Sequence, residues 1–96
     1  INHQFGGHGI GVNMHEEPFI SHVTWPAGHK MAEMGEDVLK AGQMICLEPM
    51  LTYTDRVGFP SFNGWTWKTR DSRNSAIFEH QIRVQEDGCE ILTTHF

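Results

Sequence analysis

Two imidazoles and two carboxylates are the side chains of this sequence best suited to chemistry. His8 and His15 lie in GGHGIGVNMHEEP (Gly6 to Pro18), Glu48 in the apolar run MICLEPML, and Glu79 in the alternating segment IFEHQIRV. Neutral imidazole beside carboxylates suits a divalent first-row metal such as Mn, Fe, Co or Zn. The oxygen-rich set favours a two-metal hydrolytic centre over a structural zinc site. It is not a zinc helix: in HEEPFISH, from His15 to His22, the second histidine comes too late and Pro18 breaks the turn. Glu48 is informative because a charge inside a buried strand must be paired or bound to a cation. Plainer alternatives stand beside these readings: ordinary surface histidines near a turn, and a Glu48–Pro49 step that marks the exposed end of a strand.

The glycines indicate what backbone carries the histidines. Gly6, Gly7, Gly9 and Gly11 would each cost about 1 kcal/mol relative to alanine inside a helix, so an extended, kinked strand is expected. His8 and His15 are an odd number of residues apart and would face opposite ways along a regular strand. One shared site therefore requires a bend or bulge, which Gly9 or Gly11 permits. His8, His15, His22 and His29 recur every seven residues, but Gly9, Gly11, Pro18 and Pro26 forbid a continuous helix, so the heptad is coincidental.

After an apolar run from Pro18 to Val23 and a turn at Trp25 to Gly28, Lys30 to Lys40 is the one window of helical composition, interrupted by Gly35. Gln43 to Tyr53 reads as a strand and Thr54 to Asn63 as a loop. Gly64 to Thr69 reads as a strand presenting Trp65 and Trp67 on one side. Ser75 to Val84 places Ala76, Phe78, His80, Ile82 and Val84 on one face and Glu79 on the other. Glu86 to Gly88 is a hairpin turn leading to a last strand, Cys89 to Thr93. The expected class is α+β, mostly antiparallel β-sheet with at most one short helix.

The whole chain sets bounds. Its 96 residues suit one domain with a thin core. A net charge of -5, with seven scattered Lys and Arg, argues against a nucleic-acid partner. With no basic leader before an apolar run and no stretch long enough to span a bilayer, a soluble mature chain with no membrane partner is expected. Cys46 and Cys89 are read as buried free thiols, which suits a reducing, cytoplasmic setting.

GHGIG followed by MHEEP, LEPML, GWTWKTRDSRNSAIFEHQIRV and DGCEILT closely resemble, in that order, the C-terminal half of type I methionine aminopeptidases, within the pita-bread metallopeptidase superfamily. The resemblance implies the C-terminal half of a pita-bread fold, with residues 1–96 as a single partial catalytic domain. It implies removal of the N-terminal methionine from nascent proteins and peptides by a water activated between two divalent ions (Co, Mn, Fe or Zn). His8 and Glu48 would bind one metal and Glu79 would bridge both. His15 would donate to the scissile carbonyl oxygen and its oxyanion, and Glu48 would take a proton from the attacking water. Met14 and Trp65 match apolar positions of the methionine pocket, where a thioether against an aromatic ring is favourable.

The departures from the family pattern also matter. The family uses five metal ligands, two of them aspartates on its N-terminal half, and Asp37, Asp55, Asp71 and Asp87 have neither their spacing nor their strand context. The stretch Ser21 to Lys40 reads as an insertion. The remaining ligands are expected from a missing N-terminal half or from a second copy of the chain. Alternatives of other kinds are a catalytically inactive remnant or peptide-binding half-domain, and a proline-specific relative. Met50, where the relatives acting next to proline usually have glycine, and the Trp65 to Ala76 block favour the methionine enzyme.

Overall fold

The structure, a computed structural model, describes residues 1–34, 38–54 and 58–94. In chain order its elements are β1 (Gly7–Gly9), β2 (Glu16–Ile20), α1 (Lys30–Met34), β3 (Met44–Leu47), β4 (Met50–Leu51), β5 (Phe59–Pro60), β6 (Trp67–Lys68), β7 (Ala76–Ile77), β8 (His80–Gln85) and β9 (Gly88–Ile91). Five of them form one sheet of order β2-β1-β3-β8-β9, in which every neighbouring pair is antiparallel. Two short ladders, β4 with β7 and β5 with β6, extend from it. The architecture is mostly antiparallel β with one short helix among the described residues, as expected.

Side-chain alternation decides what the sheet buries. Ile45 pairs with Ile82, and period two puts Leu47 and Val84 on their face. Ile45, Ile82 and Val84 form the core cluster, with Ile20 and Leu47 packed against it. Ile45 is 1% exposed. The other face carries Cys46, which pairs with His8 on one side and Gln81 on the other. One face therefore holds the sheet together while the opposite face gathers the polar residues. The core is thin: Trp65 is 84% exposed and Phe62 fully so.

Several elements differ from expectation for local reasons. The strand expected over Gln43 to Tyr53 parts at Glu48–Pro49, and its partner parts at Phe78–Glu79. The strand expected over Gly64 to Thr69 shrinks to β6. Asn63 Oδ1 accepts from the amides of Trp65 and Thr66, and Ser61 N–H donates to Thr66 O, which holds that region in a turn. Trp65 thus sits on the turn, while Trp67 meets Phe5 edge to face at 5.0 Å. Within the described residues the helix spans Lys30–Met34, its start capped by His29 Nδ1, which accepts the Met31 amide. Gly35, Asp37 and Asp55 lie outside the described residues. The hairpin forms, with Gln85 opposite Gly88. Both cysteines are free, but only Cys46 is buried; Cys89 lies on the outermost strand β9 and is exposed, correcting the expectation for it. Among the described residues no helix is long and apolar enough to cross a membrane.

Truncating Ile45 to alanine should lower the unfolding free energy by about 2–5 kcal/mol, since the space it leaves cannot fully collapse. Phe62→Ser, at a fully exposed ring, should shift it by less than about 0.5 kcal/mol. Urea denaturation of the two variants checks both values.

Candidate metal centre

Glu48 and Glu79 fall opposite each other because one register runs through both breaks. β3 and β8 pair Leu47 with His80, and β4 and β7 pair Met50 with Ile77. Both ladders keep the same offset, so Glu48 and Pro49 fall opposite Glu79 and Phe78. Pro49 has no amide hydrogen, and one bond, from Phe78 N–H to Pro49 O at 3.3 Å, spans the gap. Like charges directly opposite each other destabilise a strand pair, and the regular ladder lapses where they face one another. Period two puts Glu48 and Glu79 on the face of Cys46 and His8. The Cys46 thiol donates to the Glu79 carboxylate, and burial, followed by Glu79 and Glu48, pushes its pKa up.

His8 is oriented for a cation. Its Nδ1 lies 2.8 Å from Gly9 O. A carbonyl oxygen only accepts, so Nδ1 carries the proton and Nε2 is left to face Glu48. Nε2 lies 3.0 Å from Glu48 Oε1, with the two side chains 15% and 17% exposed. Two acceptors so close need a hydrogen or a cation between them: a proton on either atom, or a metal ion held by both. Donors about 2.1 Å from a shared ion and at right angles to each other stand about 3 Å apart, so the pair fits two corners of a coordination shell. Among the described residues no three His, Cys, Asp or Glu side chains converge as a full ligand set. Asp71 accepts the Arg73 amide in a turn, and Asp87 sits in the hairpin between β8 and β9.

The single kinked strand expected to carry both histidines does not form: β1 ends at Gly9, the chain reverses, and His15 comes just before the antiparallel strand β2. Gly7 and His8 pair with Ile20 and Phe19, but Gly9 pairs with Glu16, so β2 carries Glu17 and Pro18 as extra residues. A Cβ on Gly9 would lie 2.1 Å from Glu17 O, so a side chain there would block the bulge. Glu16 Oε1 accepts the Asn13 amide at 2.9 Å and folds the intervening loop back. The His15 ring then lies 4.4 Å from the His8 ring. His8, His15 and Glu48 line one cavity of about 610 Å3 with Gln4, Phe5 and Met50. A second cavity of about 220 Å3, walled by Phe5, Met50, Trp67 and Ile77, shares Gln4, Phe5 and Met50 with the first. Glu79, Met14 and Trp65 line neither; Met14 is 71% exposed and points to solvent with Trp65.

His22 belongs to this centre and went unrecognised in the sequence, where it was only one member of a meaningless heptad. Its Nε2 accepts the Glu48 amide at 3.0 Å. Burial lowers its pKa, against the raising influence of Glu48. No local pattern announces a contact between a side chain and a backbone amide 26 residues away.

The model of metallopeptidase family M24 matches residues 1–86. Among curated relatives, the methionine aminopeptidase of Salmonella typhimurium is 43% identical over 90 residues, covering 94% of this chain and 31% of its own length. That of Aquifex aeolicus is 36% identical over 90 residues, covering 94% and 33%. The crystal structure of methionine aminopeptidase from Rickettsia prowazekii superposes with a TM-score of 0.79 at 36% identity, over 96% of this chain and 35% of that one. The enzyme from Thermotoga maritima gives 0.81 at 35%, over 98% and 35%. The chain thus spans about a third of the length of these relatives, and its sheet is that of their pita-bread fold.

Alkylation at about pH 8 should modify Cys89 quickly and Cys46 slowly, because the Cys46 thiol is buried and its thiolate is disfavoured by two carboxylates. Mass mapping of the labelled peptides checks the order.

Proposed function

The chain belongs to metallopeptidase family M24, and from that membership we propose that it carries part of the catalytic site of an enzyme removing N-terminal methionine from proteins and peptides. The single observation that best supports this is the His8–Glu48 pair, with Nε2 and Oε1 3.0 Å apart and the Glu79 position directly across the strand pair. His8, Glu48 and Glu79 are the proposed metal ligands, Glu79 between two sites. Two divalent ions (Co, Mn, Fe or Zn) would supply Lewis-acid polarisation and a water deprotonated near neutral pH.

The chain's own residues divide the remaining work. Glu48 takes the proton of the attacking water. His15 donates a hydrogen bond to the carbonyl oxygen and stabilises the oxyanion that forms as water adds; when the C–N bond breaks, Glu48 returns its proton to the leaving amine. Met14 and Trp65, exposed here, are the proposed apolar walls around the methionine side chain, closed by whatever supplies the remaining ligands: an N-terminal half or a second copy. Residues 1–96 act in this reading as one partial catalytic domain. Two free thiols suit a cytoplasmic setting.

A second reading is a catalytically inactive, peptide-binding half-domain. It is supported by the absence of a full ligand set among the described residues.

Calorimetry with Mn or Co separates the two. Tight binding of two ions per chain or per dimer, lost in Glu79→Ala, is expected for the enzyme; weak or single-ion binding favours the inactive half. With a complementing N-terminal half, His15→Ala should reduce kcat for methionine release from a short peptide by about 10²–10³-fold. A variant as fast as the parent would remove His15 from its role.

A further inference from the structure

The backbone amide of Glu48 stands where two ladders end. On the β8 side the regular pairing stops at Leu47 and His80. On the β1 side it stops at His8 and Cys46. A partly buried amide in such a gap needs an acceptor, and His22 Nε2 supplies it at 3.0 Å. To do so the ring presents a lone pair on Nε2 and carries its proton on Nδ1.

The reach of His22 is long. It follows the edge strand β2, and its target lies just past β3, so the ring crosses β1 between them. It crosses at Gly7, where a built Cβ would stand 3.2 Å from His22 Cε1 and 2.2 Å from Cys46 O. The strand between the two partners is bare at the crossing point.

We propose that His22 is a positioning residue for the metal centre: by holding the Glu48 amide it fixes the strand break and aims the Glu48 carboxylate at His8 Nε2. The step Glu48–Pro49 has little else to hold it, and Glu79 across the pair pushes the same carboxylate away. His22 opposes that push through the main chain, which leaves the carboxylate oxygens free to bind. The segment from Ser21 onward, which reads as an insertion, thereby contributes to the site. This deepens the proposed function and rests on Glu48 being a ligand.

The first test needs no metal. In the 15N-labelled chain, His22 should carry its proton on Nδ1, and the Glu48 amide should exchange with solvent at least tenfold more slowly than in His22→Leu. His22→Gln, which keeps an acceptor, should retain most of that protection. A proton on Nε2 in the parent chain, or equal exchange in parent and His22→Leu, overturns the proposal. If His22→Leu does not fold, the tautomer and the Glu48 exchange rate of the parent chain decide alone.

Titration with Mn2+ forms the second arm. His22→Leu should weaken binding by roughly 10–100-fold, the usual effect of removing a group that orients a ligand, and His22→Gln should recover most of it. Unchanged affinity in His22→Leu also overturns the proposal. A parent chain that binds no Mn2+ refutes the metal centre instead, while the tautomer and exchange results still decide whether His22 holds Glu48.

Discussion

Two carboxylates placed opposite each other in an antiparallel pair are the constraint on which the candidate site depends. The common register of the β3–β8 and β4–β7 ladders leaves Glu48 no neighbour but Glu79 across the pair. Such a pair repels unless positive charge stands near it. The surroundings supply what they can: the Cys46 thiol donates to Glu79, His8 Nε2 approaches Glu48, and His22 ties down the Glu48 amide. A cation bound between the carboxylates would answer that repulsion directly.

The division of the sheet into two faces makes this arrangement tolerable. Ile45, Ile82 and Val84 bury themselves on one side, so the strands stay paired although the other side is polar. Binding strain is thereby separated from folding stability. The repulsion falls at a break in the ladders, where few backbone hydrogen bonds are at stake, rather than beneath the core.

What was legible in the sequence follows from the kind of interaction involved. The alternation from His80 to Val84 and the hairpin depend on neighbours in sequence, and both formed, although the turn is Glu86–Asp87 and Gly88 already belongs to the last strand, Gly88–Ile91. The odd spacing of His8 and His15 bears on one kinked strand, whereas the chain reverses between β1 and β2 and brings the two rings together across that hairpin. The break at Glu48 is legible in the alternative that the Glu48–Pro49 step ends a strand: β3 does stop at Leu47, although the Glu48 side chain is only 17% exposed. Trp65 was assigned to a strand because GWTWKT alternates, yet the Asn63 side chain captures two amides and makes a turn. Cys89 looked buried because its flanks are β-formers, and nothing in them says that its strand is the outermost one. His22 was invisible for the same reason: its partner is backbone, which has no residue type to match.

The wall between the two cavities has a consequence of its own. Gln4, Phe5 and Met50 line both spaces, so neither can be filled without touching the boundary of the other. A ligand that displaced these shared side chains from one space would change the affinity of the other, and linkage makes such an effect reciprocal. The boundary that separates the two spaces is thus made of three side chains rather than of sheet backbone.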